Sequence, residues 1–161
     1  MATKLMLPNY LALGHLTHDV LPAGALMPGG TVRYAALTAR ELGYQAAVVS
    51  SGCADLVGSL PDDVALHLQP APVTTTFANR YTAYGREQWL HALAPVLTLD
   101  RVSAAWREAP MIHIGPVANE CALAHILDWV APHALVGLTP QGMLRTWDAP
   151  LPARVRPLHW Q

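Results

Sequence analysis

The sequence contains few charged residues and almost no lysine. Charged side chains make up 13% of the 161 residues, and Lys4 is the only lysine beside nine arginines. The net charge is -1 and no basic tail or block is present, so the composition does not indicate a nucleic-acid partner or an anionic membrane surface. Hydrophobic residues account for 52% of the chain. This fraction excludes the polar, highly charged composition of disordered chains.

Two further absences concern membranes and the redox compartment. No apolar run reaches the roughly 18 residues that a membrane-spanning helix needs, and residues 1–7 contain no apolar signal-peptide segment. Only two cysteines are present, Cys53 and Cys121, far apart and in apolar surroundings. We therefore expect two reduced thiols in a cytoplasmic protein without a membrane partner. The length fits one α/β domain over residues 1–161.

The first fifty residues predict a parallel β-α-β unit. Residues 10–13 form a short apolar run of the kind typical of a buried strand. Gly29-Gly30 precedes a helix predicted over residues 31–42, and the apolar residues 46–49 predict the next strand. A strand, a helix and a second strand in this order join parallel neighbours by default.

The rest of the chain continues this alternation, with one polar interruption. Strands are predicted at residues 64–68, 111–114 and 134–138, and helices at 55–60, at 100–107 with Asp100 as cap, and at 120–130 with Asn119 as cap. Residues 73–77 and 80–84 predict a hairpin with Asn79 between its strands. Because this pair is the most polar, we expect an exposed antiparallel flap. The fold class follows as α/β, with a layered, mostly parallel sheet flanked by helices.

Asp19 is the first candidate functional residue. Ligands of open parallel sheets bind beyond the carboxyl ends of the strands, and Asp19 is the only carboxylate near the end of the first predicted strand. A carboxylate at this place can accept hydrogen bonds from two vicinal hydroxyls of a sugar. Aspartate is also common in turns, so a purely structural role in a loop is the alternative.

Gly29-Gly30 and the nearby histidines are weaker candidates. The two glycines allow close backbone approach at a helix start, but no Lys-Ser/Thr and no third glycine follow, so neither a phosphate loop nor a dinucleotide fingerprint is present. His15, His18 and Asp19 could suggest a metal-dependent hydrolase. Along a strand, however, positions 15 and 18 point to opposite faces, and the remaining histidines are scattered. We expect no metal site.

The order of these segments resembles the amino-terminal part of the ribokinase-like (PfkB) carbohydrate kinases. The residues that carry the resemblance are a strand followed by Asp19, Gly29-Gly30 opening an Ala-rich helix, the turn Val48-Val49-Ser-Ser-Gly-Cys-Ala-Asp55, the strand Ile112-His-Ile-Gly-Pro-Val-Ala-Asn-Glu120, and the segment Val136-Gly-Leu-Thr-Pro-Gln-Gly-Met-Leu-Arg145-Thr-Trp147. Together they cover nearly the whole chain. Tyr34 stands where the family often has Asn, and the Asp and Asn of the last segment are replaced around Thr139 and Gln141.

The resemblance implies a three-layer α/β domain with a small β lid, here built from segments at about 20–28 and 73–85. It implies phosphorylation of a sugar or nucleoside hydroxyl, with ATP and Mg²⁺ in the full-length family. The substrate-binding residues that it implies are Thr17, Asp19, Gly29, Gly30, Tyr34 and Glu120.

The family's Asn-x-x-Glu and Gly-Ala-Gly-Asp motifs, which organise the phosphates and supply the general base, have no match in these 161 residues. Phosphoryl transfer depends on such positioning groups. We therefore expect a truncated, sugar-binding half of a kinase that is not catalytically competent alone, with no catalytic residue and no cofactor of its own. The alternative is a non-catalytic ligand-binding or interaction module of the same fold. We also expect a homo-oligomer, through the flap at residues 74–84, or a complementing carboxyl-terminal half, because a truncated sheet exposes an edge.

Overall fold

The computed structural model describes residues 7–159. The expectation about a signal peptide concerns mainly residues 1–6, which lie outside the described residues. The elements, in chain order, are β1 (Tyr10–Leu13), β2 (Thr17–Val20), β3 (Leu26–Gly29), α1 (Thr31–Glu41), β4 (Ala46–Gly52), β5 (Ala65–Pro70), β6 (Thr76–Thr82), β7 (Gly85–Ala92), β8 (Met111–Ile114), α2 (Leu123–Trp129), β9 (Leu135–Leu138), β10 (Arg145–Thr146), β11 (Ala153–Arg154) and β12 (Arg156–Pro157). Short 3-10 helices lie at Ala54–Gly58, Ala104–Glu108 and Pro140–Leu144.

Five parallel strands form the central sheet, in the order β5-β4-β1-β8-β9. Alternate residues of its strands pack on opposite faces. Leu11 and Leu13 belong to a core cluster with Ile126 of α2, and Ala12 belongs to a second cluster with Val32 of α1. The predicted α/β class, with a mostly parallel sheet between helices, is therefore confirmed.

The other five-stranded sheet has the strand order β11-β7-β6-β2-β3. The pair β2–β6 is parallel and the other pairs are antiparallel. Only residues 14–16 separate β1 from β2, so the chain passes directly from one sheet into the other. Most of the residues at 20–28 and 73–85 that the resemblance implies as a lid lie in this second sheet or its connections.

The polar hairpin exists, but the predicted position of its turn is wrong. Asn79 lies in the middle of β6, paired with Gln88, and the chain turns between Thr82 and Gly85. The Thr82 hydroxyl stabilises this turn by accepting from the Tyr84 N–H at 3.1 Å and donating to the Gly85 carbonyl at 3.0 Å. Gly85 has a φ of 119°, which only glycine adopts easily. Asn79 is therefore a strand residue of this hairpin and not its turn residue.

The second helix begins later than predicted, at Leu123 instead of residue 120. Asn119 adopts a φ of 60°, and the buried Glu120 carboxylate binds backbone N–H groups of the preceding loop, so neither residue enters the helix. Leu127 of α2 is 53% exposed. Near Asp100, the predicted helix is a 3-10 turn that begins after Ser103. Within residues 7–159, no helix is long and apolar enough to cross a membrane.

Candidate functional site

Strand β2 directs Thr17 and Asp19 to the same face because side chains alternate along a strand. The sequence placed Asp19 at the end of the first strand, whereas the structure places it inside β2, in the second sheet. Its neighbours there are Met27 of β3 and Phe77 of β6. The carboxylate therefore sits on a sheet surface instead of in a flexible loop.

A cavity of about 310 Å³ opens over this surface. Four predicted substrate residues line it: Thr17, Asp19, Gly30 and Tyr34. The other lining residues are Thr31, Phe77, Asn79, Arg86, Gln88, Val117, Gln141 and Arg145. Most of these side chains are polar, and the volume suits a ligand as small as a monosaccharide. Gly29 and Glu120 do not line this cavity.

Gly29 and Gly30 make room for the polar side chains of β2 in different ways. Gly30 has a φ of 100°, and a Cβ there would collide with the backbone oxygen of His15. A Cβ on Gly29 would lie 2.5 Å from Asp19 Oδ2 and 3.0 Å from Thr17 Oγ1. The glycine pair thus shapes both the helix start and the space that the Asp19 carboxylate occupies.

The Asp19 carboxyl group is half-buried, and this burial changes its pKa. Burial raises its pKa above the usual value, while the positive charge of Arg86 and then that of His18 act in the opposite direction. A partly desolvated carboxylate gains more from each hydrogen bond than one in bulk water. Asp19 is therefore suited to accept hydrogen bonds from ligand hydroxyls.

Glu120 is fixed beneath the surface by backbone donors. It is 1% exposed and accepts hydrogen bonds from the N–H groups of His15 at 2.8 Å, Val117 at 3.0 Å and Ala118 at 2.7 Å. These bonds tie the β1–β2 connection to the loop that follows β8. Glu120 also lines a neighbouring cavity of about 330 Å³, together with Arg145. The geometry gives its carboxylate a clear role in holding two site-forming loops together.

His15 and His18 have different partners. His15 is buried: its Nε2 lies 3.0 Å from the Pro95 carbonyl, and its Nδ1 lies 2.7 Å from Thr75 Oγ1. Burial lowers the His15 pKa, so the ring is neutral, donates from Nε2 and accepts at Nδ1. His18 Nε2 instead lies 3.4 Å from Asp55 Oδ2. The part of the chain that the structure describes contains no group of three or more His, Cys, Asp or Glu side chains placed to hold a metal ion.

Three polar residues of the hairpin, Asn79, Arg86 and Gln88, line the cavity but were not predicted as site residues. The register of the hairpin brings them to it, because Asn79 pairs with Gln88, and Gln88 shares one face of β7 with Arg86. The Gln88 amide donates to Asn79 Oδ1 at 3.1 Å. Side chains alternate between the two faces of a strand, so the sequence of residues 76–92 would have indicated this shared face if the turn had been predicted between Thr82 and Gly85. Gln141 and Arg145 were part of the resemblance but were not predicted as site residues.

Comparisons with known proteins place this geometry in a fold family. No protein-family model and no curated protein matches the chain. Among solved structures, a sulfate complex of a pyrophosphate-dependent kinase in the ribokinase family matches with a TM-score of 0.73 and 24% identity, over 92% of this chain and 55% of that chain. The chain has a ribokinase-like fold. The resemblance inferred from the sequence is therefore confirmed at the level of fold.

Two further ribokinase-like structures agree with this assignment. A pyrophosphate-dependent kinase of the ribokinase family, complexed with a pyrophosphate analog and myo-inositol, matches with a TM-score of 0.70 and 24% identity, over 86% of this chain and 52% of that one. Arabidopsis thaliana ribokinase, complexed with ribose and ATP, matches with a TM-score of 0.55 and 14% identity, over 83% of this chain and 53% of that one. The chain spans about half the length of the solved structures it matches.

Proposed function

We propose that this chain is the sugar-binding half of a ribokinase-like carbohydrate kinase. The observation that carries the proposal is the convergence of Thr17, Asp19, Gly30 and Tyr34 on one small polar cavity. Two solved structures of the same fold were complexed with myo-inositol and with ribose, both of which carry vicinal hydroxyls. A small sugar or related polyol is therefore the substrate class that we propose for this cavity.

In this proposal, the ionised Asp19 accepts hydrogen bonds from two neighbouring hydroxyls of the substrate. The Thr17 hydroxyl and the backbone of Gly30 lie beside it and complete the polar wall. The second sheet, with the segments at 20–28 and 73–85, acts as a lid over the bound polyol. Glu120 is a positioning residue, because it holds the connection that leads into β2.

We further propose that these 161 residues by themselves do not transfer a phosphoryl group. Transfer needs groups that position and neutralise the phosphates. The Asn-x-x-Glu and Gly-Ala-Gly-Asp motifs of the family are not present in the sequence, and residues 7–159 provide no cluster that suits a metal ion. Without these two motifs, the 161 residues lack the groups that hold ATP with Mg²⁺ in the resembled family. A complementing carboxyl-terminal polypeptide supplies the donor site.

Calorimetry with neutral polyols, such as myo-inositol and ribose, tests the binding site. We expect binding to the 161-residue protein and a loss of affinity of about 10- to 100-fold in Asp19→Asn, since charge-assisted hydrogen bonds to the carboxylate are removed. Asp62→Asn, at an exposed turn position before β5, is the matched control and should bind like the wild type. Equal binding by Asp19→Asn and the wild type would remove Asp19 as the anchor.

The stability of Asp19→Asn separates loss of a ligand contact from loss of the fold. Because burial raises the Asp19 pKa, the folded protein holds this proton more tightly than the unfolded chain. The stabilisation from Asp19 is therefore complete below the unfolded pKa and disappears as the pH rises through the raised pKa. At pH 7 the ionised side chain opposes folding, so Asp19→Asn should melt no lower than the wild type.

A phosphorylation assay distinguishes the kinase half from a non-catalytic ligand-binding or interaction module of the same fold. Both bind polyols, and both are inactive when assayed alone with ATP or pyrophosphate. Only the kinase half gains activity when a carboxyl-terminal polypeptide carrying the Gly-Ala-Gly-Asp motif is added. Turnover by the 161-residue protein alone would contradict the proposed incompetence.

We also propose that the apolar edge of the central sheet is covered, by a second copy when the protein is alone and otherwise by the complementing half. Edge strand β9 exposes Leu135 by 70% and Leu138 by 46%. Such an edge is a ready surface for strand pairing. This edge is a better candidate for the interface than the flap, whose strand β6 has partners on both sides in the second sheet.

We also propose a cytoplasmic location. The free thiols of Cys53 and Cys121 support it, because disulfides are rare in that compartment.

Light scattering at micromolar concentration tests this surface. We expect a dimer that dissociates in the double variant Leu135→Lys and Leu138→Lys, because two charges on the edge oppose pairing. Leu26→Lys is the matched control, since Leu26 is 53% exposed but lies on the edge strand of the other sheet. A wild-type monomer, or a control that dissociates equally, would contradict the assignment.

A further inference from the structure

Two arginines line the cavity that contains Asp19. Arg86 comes from β7 and Arg145 from β10, 59 positions later in the chain. Arg145 is held in place: its Nη1 donates to the Val117 carbonyl at 2.9 Å, and its guanidinium carbon lies 5.4 Å from the centre of the Phe77 ring. A half-buried guanidinium that is fixed by packing and one backbone contact is pre-arranged to bind an anion.

Neither arginine has a carboxylate partner within residues 7–159, although other arginines of the same region do. Arg154 Nη2 lies 3.0 Å from Glu87 Oε1, and Arg156 Nη2 lies 2.7 Å from Asp148 Oδ2. The ion pairs found in the described residues include none made by Arg86 or Arg145. Arg154 and Arg156 are therefore each paired with a carboxylate, whereas Arg86 and Arg145, which line the cavity, have no ion pair in the described residues.

The two guanidinium groups also influence each other. The Arg145 pKa is lowered by burial, and then by the charge of Arg86, while Glu120 acts in the opposite direction. Glu120 is 1% exposed and already accepts three backbone N–H groups, so it cannot serve as a partner inside the cavity. The cavity wall itself carries two guanidinium groups and one carboxylate, Asp19. Repulsion between the like charges is relieved when an anion binds between them.

We propose that Arg86 and Arg145 form an anion subsite in the sugar cavity, and that the substrate is a polyol carrying a carboxylate or a phosphate group. This inference rests on the proposed function, because it assigns the substrate class of the same site. Guanidinium groups match the planar oxygens of both anions and bind them with two parallel hydrogen bonds. The hydroxyls of the substrate contact Asp19 and Thr17, and its anionic group contacts the arginines.

A phosphoryl donor is the other source of such an anion. The position of the arginines favours the substrate, because Arg86 is close enough to Asp19 to affect its pKa and both arginines line the cavity that holds Thr17. An anion bound there is within reach of the groups proposed to hold the polyol. A donor that replaced the polyol in this cavity would exclude the substrate instead of reacting with it.

The test is calorimetry of the 161-residue protein with matched pairs of ligands: glucose and glucuronate, ribose and ribose 5-phosphate, myo-inositol and myo-inositol 1-phosphate. We expect the charged member of at least one pair to bind about 10- to 100-fold more tightly than its neutral partner. In Arg86→Gln and in Arg145→Gln, the ratio of the charged ligand's affinity to that of its neutral partner should fall to about one.

Arg156→Gln removes an arginine that already has a carboxylate partner and should keep the preference. Arg86→Gln remains informative if Arg145→Gln fails to fold, since Arg86 is an exposed strand residue. Equal affinity for charged and neutral polyols would overturn the anion subsite and leave the proposed function intact. Binding of pyrophosphate alone with the same dependence on arginine, without a preference for charged polyols, would assign the arginines to the donor and overturn the inference. Absence of binding by any polyol would overturn the proposed function as well.

Discussion

Replacement of Glu120 by alanine is expected to lower the free energy of unfolding by about 3 kcal/mol or more. The variant leaves the N–H groups of His15, Val117 and Ala118 without their acceptor. Each buried donor that loses its partner costs about 1–3 kcal/mol. Thermal and urea unfolding of the purified variant measure this loss, and a variant that does not fold at all agrees with it.

Glu41→Ala is the matched control for this experiment. Glu41 lies at the end of α1 and contacts Arg40 on the surface, with a side chain 73% exposed. Such exposed pairs contribute little, so a change below about 1 kcal/mol is expected. If Glu120→Ala were no more destabilised than Glu41→Ala, the loop between β8 and α2 would not depend on the buried carboxylate.

Substitution of Gly29 by alanine is expected to weaken polyol binding while the protein remains folded. The added Cβ would lie 2.5 Å from Asp19 Oδ2 and 3.0 Å from Thr17 Oγ1. Both atoms are at the ends of short side chains that can rotate, and Gly29 does not have a positive φ. The backbone therefore accepts the methyl group, whereas the two proposed substrate ligands must move. Calorimetry should show a loss of about 10-fold or more, as one charge-assisted hydrogen bond is lost.

The neighbouring glycine gives the opposite result. In Gly30→Ala, the methyl group meets the backbone oxygen of His15 at a φ of 100°, so the expected effect is on stability. Gly58→Ala, where a Cβ would have open space around it, is the control for glycine replacement itself. Wild-type affinity in Gly29→Ala would mean that Asp19 and Thr17 need not occupy their present positions.

Local patterns predicted the parts of the molecule that depend on near neighbours in the chain. The apolar residues 10–13 and 46–49 became strands β1 and β4, and the helix predicted over 31–42 became α1. The predicted start of α2 was wrong because a distant contact decides it, whereas the hairpin turn is formed by the near neighbours Thr82 and Gly85 and not by Asn79. For α2, the decisive bond joins Glu120 to His15, which is 105 positions away.

The sequence by itself determined the α/β alternation, the glycine pair and the candidate Asp19, since each depends on residue type and short-range spacing. Only the tertiary structure decided what surrounds Asp19. Arg86 and Gln88 reach the cavity because the register of β6 and β7 turns one face of the hairpin toward β2. Arg145 reaches it through the fold of a segment more than a hundred residues beyond Asp19. The charge of the cavity is therefore a tertiary property, because it comes from side chains that only strand pairing and packing bring together.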